Sequence, residues 1–225
     1  MIGIGAAAAI LIAVFILPGT GWRTDDRPWK ELASNERSAK VLLEDGSVVV
    51  LAPHSVLQVH PDFLRHRSLR LVRGAVYSDI ARDEQHRLSI AVNRQQVIVL
   101  GTAFSIHQLD SVDIQLTVKE GKVALDNEGG RRLLTAGQQI RTDAARTGAI
   151  RSVDPAAADW WVQRQARWKD IPLEEILDRV EDYYQVRLSH GIINKNMKLT
   201  LTWDLSIPLK ENLAVLNSLT GYNIH

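Results

Sequence analysis

The chain has 225 residues, of which 45% are hydrophobic and 24% are charged, and its formal net charge is +1. This balance is typical of a globular protein with one or two domains, and it disfavours a nucleic-acid binder that relies on bulk positive charge. Cysteine is absent, which excludes disulfides and thiol catalysis.

The first predicted element is an apolar segment, residues 2–17, with the sequence IGIGAAAAILIAVFIL. At 1.5 Å per residue, a helix of this length would cover most of a roughly 30 Å hydrocarbon core. The leading interpretation is a membrane anchor over residues 1–18, and the alternatives are a cleaved signal peptide and a buried helix. Arg23, Arg27 and Lys30 follow the segment, so the positive-inside rule alone would place the rest of the chain in the cytoplasm.

The next predicted units are a linker and an all-β domain. Residues 19–37 are polar and rich in turn-forming residues, which is typical of a juxtamembrane linker. From residue 38 to 150, short apolar runs alternate with turn signals and no helical pattern intervenes. This predicts an all-β domain, either a sandwich or a solenoid-like fold. Asp45-Gly46 is the strongest hairpin signal, and similar hairpins are predicted around Gly74 and Gly121.

Gly101-Thr102 interrupts the most strand-like segment of this domain, QQVIVLGTAFSIH. A glycine inside a strand packs nothing and usually marks a bulge or a close approach of another backbone. We therefore expect two strand pieces, residues 97–100 and 103–107, joined by a bend at a crowded position. A bulge in a core strand is favoured over a ligand contact.

A second linker, residues 151–165, precedes a smaller unit at residues 166–225, in which the apolar period changes to that of a helix. Two helices are predicted, each introduced by Ile-Pro-Leu, and the second ends at Gly221. The predicted order is strand, helix, strand, strand, helix, strand, which gives a small α+β module of two βαβ halves. The apolar faces of the two helices are predicted to comprise Leu173, Ile176, Leu177, Val180 and Tyr184, and Leu209, Leu213, Leu216 and Leu219.

No sequence motif indicates catalysis or a bound cofactor. His54, His60 and His66 are spaced by six residues, which is roughly 20 Å along a strand and too far for one shared metal ion. The Gly-Lys pair at 121–122 lacks the other residues of a phosphate-binding loop, and no nucleophile elbow occurs. We therefore expect neither enzyme activity nor a cofactor or metal site.

Several motifs of the chain form a recognisable combination. They are Asp45-Gly46-Ser47, RLVRGAVYSDIA (70–81), VIVLGTAFSI (97–106), VKEGKVAL (118–125), LTAGQQ (134–139) and IPLEEILDRVEDYY (171–184). Together these motifs resemble the FecR family of transmembrane sigma-factor regulators. The resemblance starts at about Ser38 and continues to the C-terminus, where the helical region is similar to the small signalling domain of secretins and TonB-dependent receptors (the STN domain). Ala75 departs from the family pattern, in which an acidic residue is usual after the glycine.

The resemblance implies a non-enzymatic signalling protein that crosses the inner membrane once and has its larger part in the periplasm. Its implied partners are the N-terminal signalling domain of a TonB-dependent outer-membrane receptor and an extracytoplasmic-function sigma factor that controls iron or siderophore uptake. The family usually has a cytoplasmic region before the membrane helix, and this chain begins at the helix, so sigma-factor binding would require a part missing here. A structural envelope scaffold built from the same folds is the alternative.

The tail, residues 166–225, carries the predicted partner-binding residues. Its segments LTLTWDL and YNIH are expected to be edge strands, and an edge strand can accept a partner strand by β-augmentation. Trp203 would be a natural binding hot spot if exposed, and packing on the second helix is the alternative. One of Trp160 and Trp161 is expected to fill the junction between the two domains. The predicted partner-binding set is Leu199, Leu201, Thr202, Trp203, Tyr222 and Ile224.

Overall fold

A computed structural model describes residues 27–143, 146–163, 165–194 and 196–225. The predicted membrane anchor, residues 2–17, lies outside the described residues. Within the described ranges, the helices are all too short or too polar to cross a bilayer.

The described chain is mainly β. Its three α-helices are α1 (Phe63–His66), α2 (Leu173–Tyr184) and α3 (Leu209–Thr220). Its strands are β1 (Lys30–Ala33), β2 (Ala39–Leu42), β3 (Val48–Leu51), β4 (Val56–Val59), β5 (Ser68–Arg73), β6 (Ala75–Asp79), β7 (Leu88–Val92), β8 (Gln95–Val99), β9 (Ala103–Gln108), β10 (Ile114–Glu120), β11 (Lys122–Asn127), β12 (Gly130–Thr135), β13 (Gln138–Asp143), β14 (Arg146–Thr147), β15 (Arg151–Ser152), β16 (Gln165–Pro172) and β17 (Lys198–Asp204).

Strands β1 to β15 form two sheets that enclose one apolar core. Sheet A has the order β1-β4-β5-β7-β8-β11-β12, and sheet B has the order β14-β13-β10-β9-β6-β3-β2, with β15 also paired to β13. Pairing is antiparallel except between β5 and β7. The shared core includes Leu69 and Ile90 from sheet A and Phe104 and Leu116 from sheet B. This arrangement is a β-sandwich, one of the two folds that the sequence predicts.

Period-two alternation explains which side chains enter the core. Leu69 and Leu71 on β5 are buried, whereas Arg70 between them is exposed. Successive side chains of a strand point to opposite faces, so a strand with one face on the core needs this pattern. The alternation ends after Leu71, where the pairing with β4 is irregular, and Val72 and Arg73 are both exposed.

The hairpin predicted at Asp45-Gly46 is confirmed. β2 and β3 pair antiparallel on either side of it, and Gly46 has a φ of +84°, which a glycine adopts at little cost. The Asp45 carboxylate accepts hydrogen bonds from the backbone and hydroxyl of Ser47. It also pairs with the buried Arg67 at 2.6 Å, so this turn holds the loop after α1 against sheet B.

The hairpins predicted around Gly74 and Gly121 are wrong, because the strands on either side belong to different sheets. Gly74 leads from β5 in sheet A to β6 in sheet B, and Gly121 leads from β10 in sheet B to β11 in sheet A. A turn between two apolar strands has the same sequence pattern whether the strands pair or face each other across a core. Only the position of the remaining strands distinguishes the two cases.

Gly101 is a third corner of this kind, and it leads from β8 in sheet A to β9 in sheet B. A Cβ on Gly101 would lie 2.6 Å from the Arg82 Cα, so the predicted close backbone approach is confirmed. The Thr102 hydroxyl donates to the Lys122 carbonyl at 3.0 Å and fastens this corner to the start of β11. The predicted bulge within one core strand is replaced by a crossing between sheets.

One strand lies where the sequence predicts a linker. β1 falls within residues 19–37, and it pairs along its whole length with β4 at the edge of sheet A. Its four residues are exposed or half-buried, so they lack the apolar alternation on which the sequence prediction relies.

The tail contains the two predicted helices and two of the four predicted strands. β16 and β17 pair antiparallel with one irregularity, and α3 ends at Gly221, which has a φ of +73°. The predicted α2 face is buried except for the half-buried Tyr184, while Leu219 on α3 is 54% exposed, against the prediction.

The strands predicted in VRLSH (186–190) and YNIH (222–225) are absent from the described chain. Ser189 and His225 exchange two backbone hydrogen bonds, at 2.7 and 3.0 Å, and this one pair is too short to count as a strand. The Asn217 side chain bonds both the N–H and the C=O of Ile224. An amide side chain therefore occupies the place that a neighbouring strand would take.

The corner at Gly74 provides a test of the fold. A Cβ there would clash with Ser55, whose Cα would lie at 2.8 Å, and Gly74 has a φ of +86°. We expect Gly74→Ala to destabilise the protein by about 2–4 kcal/mol, from backbone strain and overpacking together. Thermal and urea unfolding would measure this loss.

Gly46→Ala is the matched control, because Gly46 has nearly the same φ, yet a Cβ on it would meet no other atom within 4 Å. It should cost only about 1 kcal/mol, the strain of a left-handed alanine. Equal losses for the two variants would contradict the close contact at Gly74.

Candidate partner-binding site

The tail is docked on the outer face of sheet B by two aromatic side chains. Trp161 and Tyr183 are 1% and 2% exposed, and their ring centroids lie 5.9 Å apart. They share a buried cluster with sheet B residues, of which three are alanines that leave room for the rings. The sheet B members of this cluster are Val50, Ala52, Ala75, Tyr77 and Ala103.

The segment before α2 holds Trp161 in position. A short 3-10 helix, Pro155–Ala158, begins at Asp154, whose carboxylate accepts a hydrogen bond from the Ala156 N–H. Asp159 then pairs with Lys119 of β10 at 2.5 Å. The prediction that one of Trp160 and Trp161 fills the junction is confirmed for Trp161.

Aromatic contacts continue from the junction into the core of the tail. The ring centroid of Trp160 lies 5.5 Å from that of Tyr183 and 5.2 Å from that of Trp168. Trp168 in turn lies 5.5 Å from Trp203 on β17. β17 is therefore linked to the face of sheet B by side chains in direct contact.

The predicted partner-binding residues differ widely in exposure. Trp203 and Ile224 are buried in the core of the tail. The alternative prediction for Trp203, that it packs inside the domain, is therefore the correct one. Leu199, Leu201 and Tyr222 are half-buried, and Thr202 is exposed.

β17 nevertheless has an open edge. Among the described residues it pairs with β16 and with no other strand. The Asn212 side chain bonds both backbone groups of Asp204 at the end of β17, so the part of this edge that a partner strand could use lies before Asp204. Its residues alternate, with Thr200 and Thr202 exposed on one face and Leu199 and Leu201 packed on the tail's core on the other. The YNIH segment does not offer a comparable edge, because Asn217 and Ser189 bind its backbone.

A cleft of about 440 Å³ separates α2 from sheet B beside the aromatic junction. Arg141 and Arg151 line its sandwich side, and α2 contributes four acidic side chains and one basic one, Arg179, which pairs with Glu175. The acidic side chains are Glu174, Glu175, Asp178 and Asp182. Electrostatic attraction across this cleft therefore supplements the apolar docking.

Two groups in the cleft have displaced pKa values. Burial raises the pKa of Asp182 to about 6, with Asp178 and Glu181 adding to the rise and Arg141 and Arg187 opposing it. Burial lowers the pKa of His107 to about 4, and its Nδ1 has no hydrogen-bond partner among the described residues. Both side chains are therefore in a dry environment that disfavours their charged forms.

Three residues of the junction are not among the sequence-predicted site residues: Tyr183, His107 and Asp182. Tyr183 follows Ile176 by seven residues and Val180 by three, so the helical spacing could have identified it. His107 ends an apolar strand, and Asp182 lies in an acidic helix; nothing in their local sequence distinguishes them from solvated residues.

The three evenly spaced histidines are partly brought together. The rings of His60 and His66 lie 4.3 Å apart, and the His60 Nδ1 accepts a hydrogen bond from the Asp62 N–H. Within the part of the chain that the structure describes, no cluster of three or more potential ligands is suited to a metal ion.

The raised pKa of Asp182 predicts a pH-dependent effect of its removal. Because its folded-state pKa of about 6 exceeds the ordinary value of 3.8, the ionised carboxylate destabilises the folded state above pH 6. We expect Asp182→Asn to raise the melting temperature at pH 7.5, with the gain shrinking as the pH falls from 6 to about 4. Calorimetry across this range measures it, and Glu174→Gln, on the same helix, is the control. A gain that does not change with pH would contradict the prediction.

Comparison with known proteins finds a family match within the sandwich. The FecR protein family matches residues 31–124, which lie within the two sheets.

Two crystal structures of a candidate anti-sigma factor from Parabacteroides distasonis ATCC 8503 share the fold. One, at 1.65 Å resolution, has a TM-score of 0.65 and 20% identity over 87% of this chain and 98% of that chain. The other, at 2.50 Å, has a TM-score of 0.65 and 21% identity over 86% and 92%. The search of curated proteins finds no match. Residues 31–124 are therefore similar to the FecR protein family, and the wider chain shares its fold with the two crystal structures.

Proposed function

We propose that this chain is the signal-receiving part of a membrane-anchored regulator of an extracytoplasmic-function sigma factor. In this proposal the sandwich and the tail lie in the periplasm, and residues 2–17 anchor them to the inner membrane. The tail receives the N-terminal signalling domain of a TonB-dependent outer-membrane receptor. The regulated genes serve iron or siderophore uptake.

Two comparisons support the coarse part of this proposal. Residues 31–124 are similar to a family of regulatory, non-enzymatic proteins, and the fold matches that of a candidate anti-sigma factor over most of the chain. The basic residues after the apolar segment favour the opposite topology, but long domains are translocated largely regardless of flanking charge.

The observation that carries the receptor-binding role is the open edge of β17. A strand added there would gain backbone hydrogen bonds, and the exposed Thr200 and Thr202 would contact its side chains. The tail's two helices packed on β16 and β17 are consistent with an STN-like signalling domain.

The aromatic contacts supply a route from this edge to the sandwich. An added strand would restrict β17 and therefore Trp203, which contacts Trp168. Trp168 contacts Trp160, and Trp160 contacts Tyr183 at the face of sheet B. Receptor binding would in this way change how firmly the tail is docked.

The proposed function predicts that blocking the β17 edge abolishes receptor binding. A lysine on an edge strand disfavours strand addition, because its charge must stay solvated. We expect Thr202→Lys to weaken binding of the N-terminal signalling domain of a cognate TonB-dependent receptor by about tenfold or more. Titration calorimetry with the full chain would measure the affinity.

Thr135→Lys is the matched control, because Thr135 is also an exposed threonine on an edge strand, β12 in the sandwich. It should leave receptor affinity unchanged. Failure of the unmodified chain to bind the signalling domain at high micromolar concentration would overturn the proposal. Concentration-dependent oligomers without receptor binding would instead indicate an envelope scaffold.

A further inference from the structure

The cleft between α2 and sheet B contains polar side chains that the docking of the tail does not use. Its volume of about 440 Å³ falls within the range that is usual for small-molecule sites, which often lie where two parts of a chain meet. None of the residues that line it belongs to β17. The cleft is therefore separate from the proposed receptor-binding edge.

One row of side chains crosses the sandwich side of the cleft. The strand register places His107 on β9 beside Gln115 on β10, and Gln115 beside Arg141 on β13. All three line the cleft. Neighbouring strands are about 4.8 Å apart, so the backbone positions of His107 and Arg141 are separated by about 10 Å. The row thus has a buried imidazole at one end and an exposed arginine at the other.

The imidazole of His107 lacks a hydrogen-bond partner at one nitrogen. His107 is 4% exposed, and its Nδ1 has no partner among the described residues. A neutral imidazole nitrogen can accept or donate a hydrogen bond, according to the tautomer. A buried polar atom without a partner costs about 1–3 kcal/mol of stability, which a ligand that bonds it would restore.

Asp182 on α2 is a second such group in the same cleft. It is half-buried and forms no ion pair with a described residue. Its raised pKa is caused by burial and by nearby charges, and no hydrogen bond is among the causes. A buried carboxylate of this kind is stabilised by a cationic partner. The charged residues that act on it are Arg141, Asp178, Arg187 and Glu181.

The basic side chains on the sandwich side suit an anionic group. Arg179 pairs with Glu175 within α2, whereas no ion pair between described residues joins Arg141 or Arg151 to that helix. The Nε of Arg151 donates to the Gln139 side chain at 3.1 Å, which holds this arginine at the wall of the cleft. Guanidinium groups bind carboxylates through two parallel hydrogen bonds, so a ligand carboxylate fits here.

We propose that the cleft binds a small zwitterion of dipeptide size. Its ammonium group donates to the Asp182 carboxylate and to the His107 Nδ1, and its carboxylate lies beside Arg141. The ends of an extended dipeptide are about 7 Å apart, and the long arginine side chain spans the remaining distance along the row. Such a ligand contacts both α2 and sheet B, so it stabilises the docked tail.

A ligand with a single charge fits less well. A simple anion could bind the arginines, but it would also face the four acidic side chains of α2. A simple cation could pair with Asp182, but it would be repelled by Arg141 and Arg151. A zwitterion satisfies both sides of the cleft without adding net charge.

Three dipeptides that differ only in their terminal charges test the proposal on the full chain. Ala-Ala carries both charges, N-acetyl-Ala-Ala lacks the ammonium group, and Ala-Ala amide lacks the carboxylate. We expect Ala-Ala to bind at least about tenfold more tightly than either of the others in titration calorimetry, because each modification removes a charge-assisted hydrogen bond.

The affinity for Ala-Ala should also depend on pH. The pKa of Asp182 is about 6 and that of His107 is about 4, while the termini of the dipeptide stay charged between pH 5 and 7. Only the ionised Asp182 carboxylate can pair with an ammonium group. The affinity should therefore fall by about tenfold from pH 7 to pH 5, as this carboxylate becomes protonated.

Asp182→Asn and Arg141→Gln should each weaken Ala-Ala binding by about tenfold, and Asp182→Asn should also remove its pH dependence. Because Asp182→Asn is expected to stabilise the fold, unfolding would not explain its loss of binding. The matched controls are Glu211→Gln and Arg132→Gln, which change exposed residues on α3 and β12 and should leave the affinity unchanged.

The proposal is overturned if the three dipeptides bind equally, or if Ala-Ala does not bind at millimolar concentration. Binding of Ala-Ala that is unaffected by Asp182→Asn and Arg141→Gln would place the ligand elsewhere and would also contradict it. Since the test uses no receptor, its result is independent of the proposed function.

Discussion

The packing of Trp161 and Tyr183 on sheet B determines how the two parts of this protein are arranged. Two large rings lie on a surface made shallow by Ala52, Ala75 and Ala103, and they are almost completely removed from water. Truncation of a buried aromatic side chain typically costs about 3–5 kcal/mol, which is a large share of the stability of a domain. Because the tail occupies one face of the sandwich, the opposite face is left to solvent.

The sandwich itself depends on corners at which the chain changes sheets. At Gly74 and Gly101 another backbone approaches so closely that no Cβ can be accommodated. These glycines therefore serve packing between the sheets and not a hairpin turn. Among the described residues, the resulting strand order leaves β1 and β12 at the two edges of sheet A.

The cleft at the junction contains two groups whose ionisation acts in opposite directions. Between pH 4 and 6 the folded state binds more protons than the unfolded state at Asp182, so stability falls with rising pH. At His107, whose folded-state pKa is about 4, the folded state binds fewer protons than the unfolded state, so stability rises with pH over the range 4 to 6.5. The two slopes therefore have opposite signs between pH 4 and 6.

Local sequence was sufficient to predict those elements of the fold whose formation depends mainly on neighbouring residues. The Asp45-Gly46 hairpin, helices α2 and α3 and the end of α3 at Gly221 all follow from turn chemistry and apolar period. A resemblance spread over several motifs also indicated the similarity to the FecR family. By contrast, the missing strands at 186–190 and 222–225 in the described chain show that apolar residues do not make a strand when a side chain such as Asn217 takes the partner's place.

What the sequence by itself determined is therefore the two long helices, most of the strands and the mainly β class of the larger domain, because each depends on neighbours within a few positions. Only the tertiary structure decided which strands share a sheet, that Trp203 is buried, and that β17 and β12 are open edges. These properties depend on residues far apart in the chain, such as Ser55 against Gly74 or Tyr183 against sheet B. Pairing and burial at such distances are set by the packing of the whole core, which no local pattern contains.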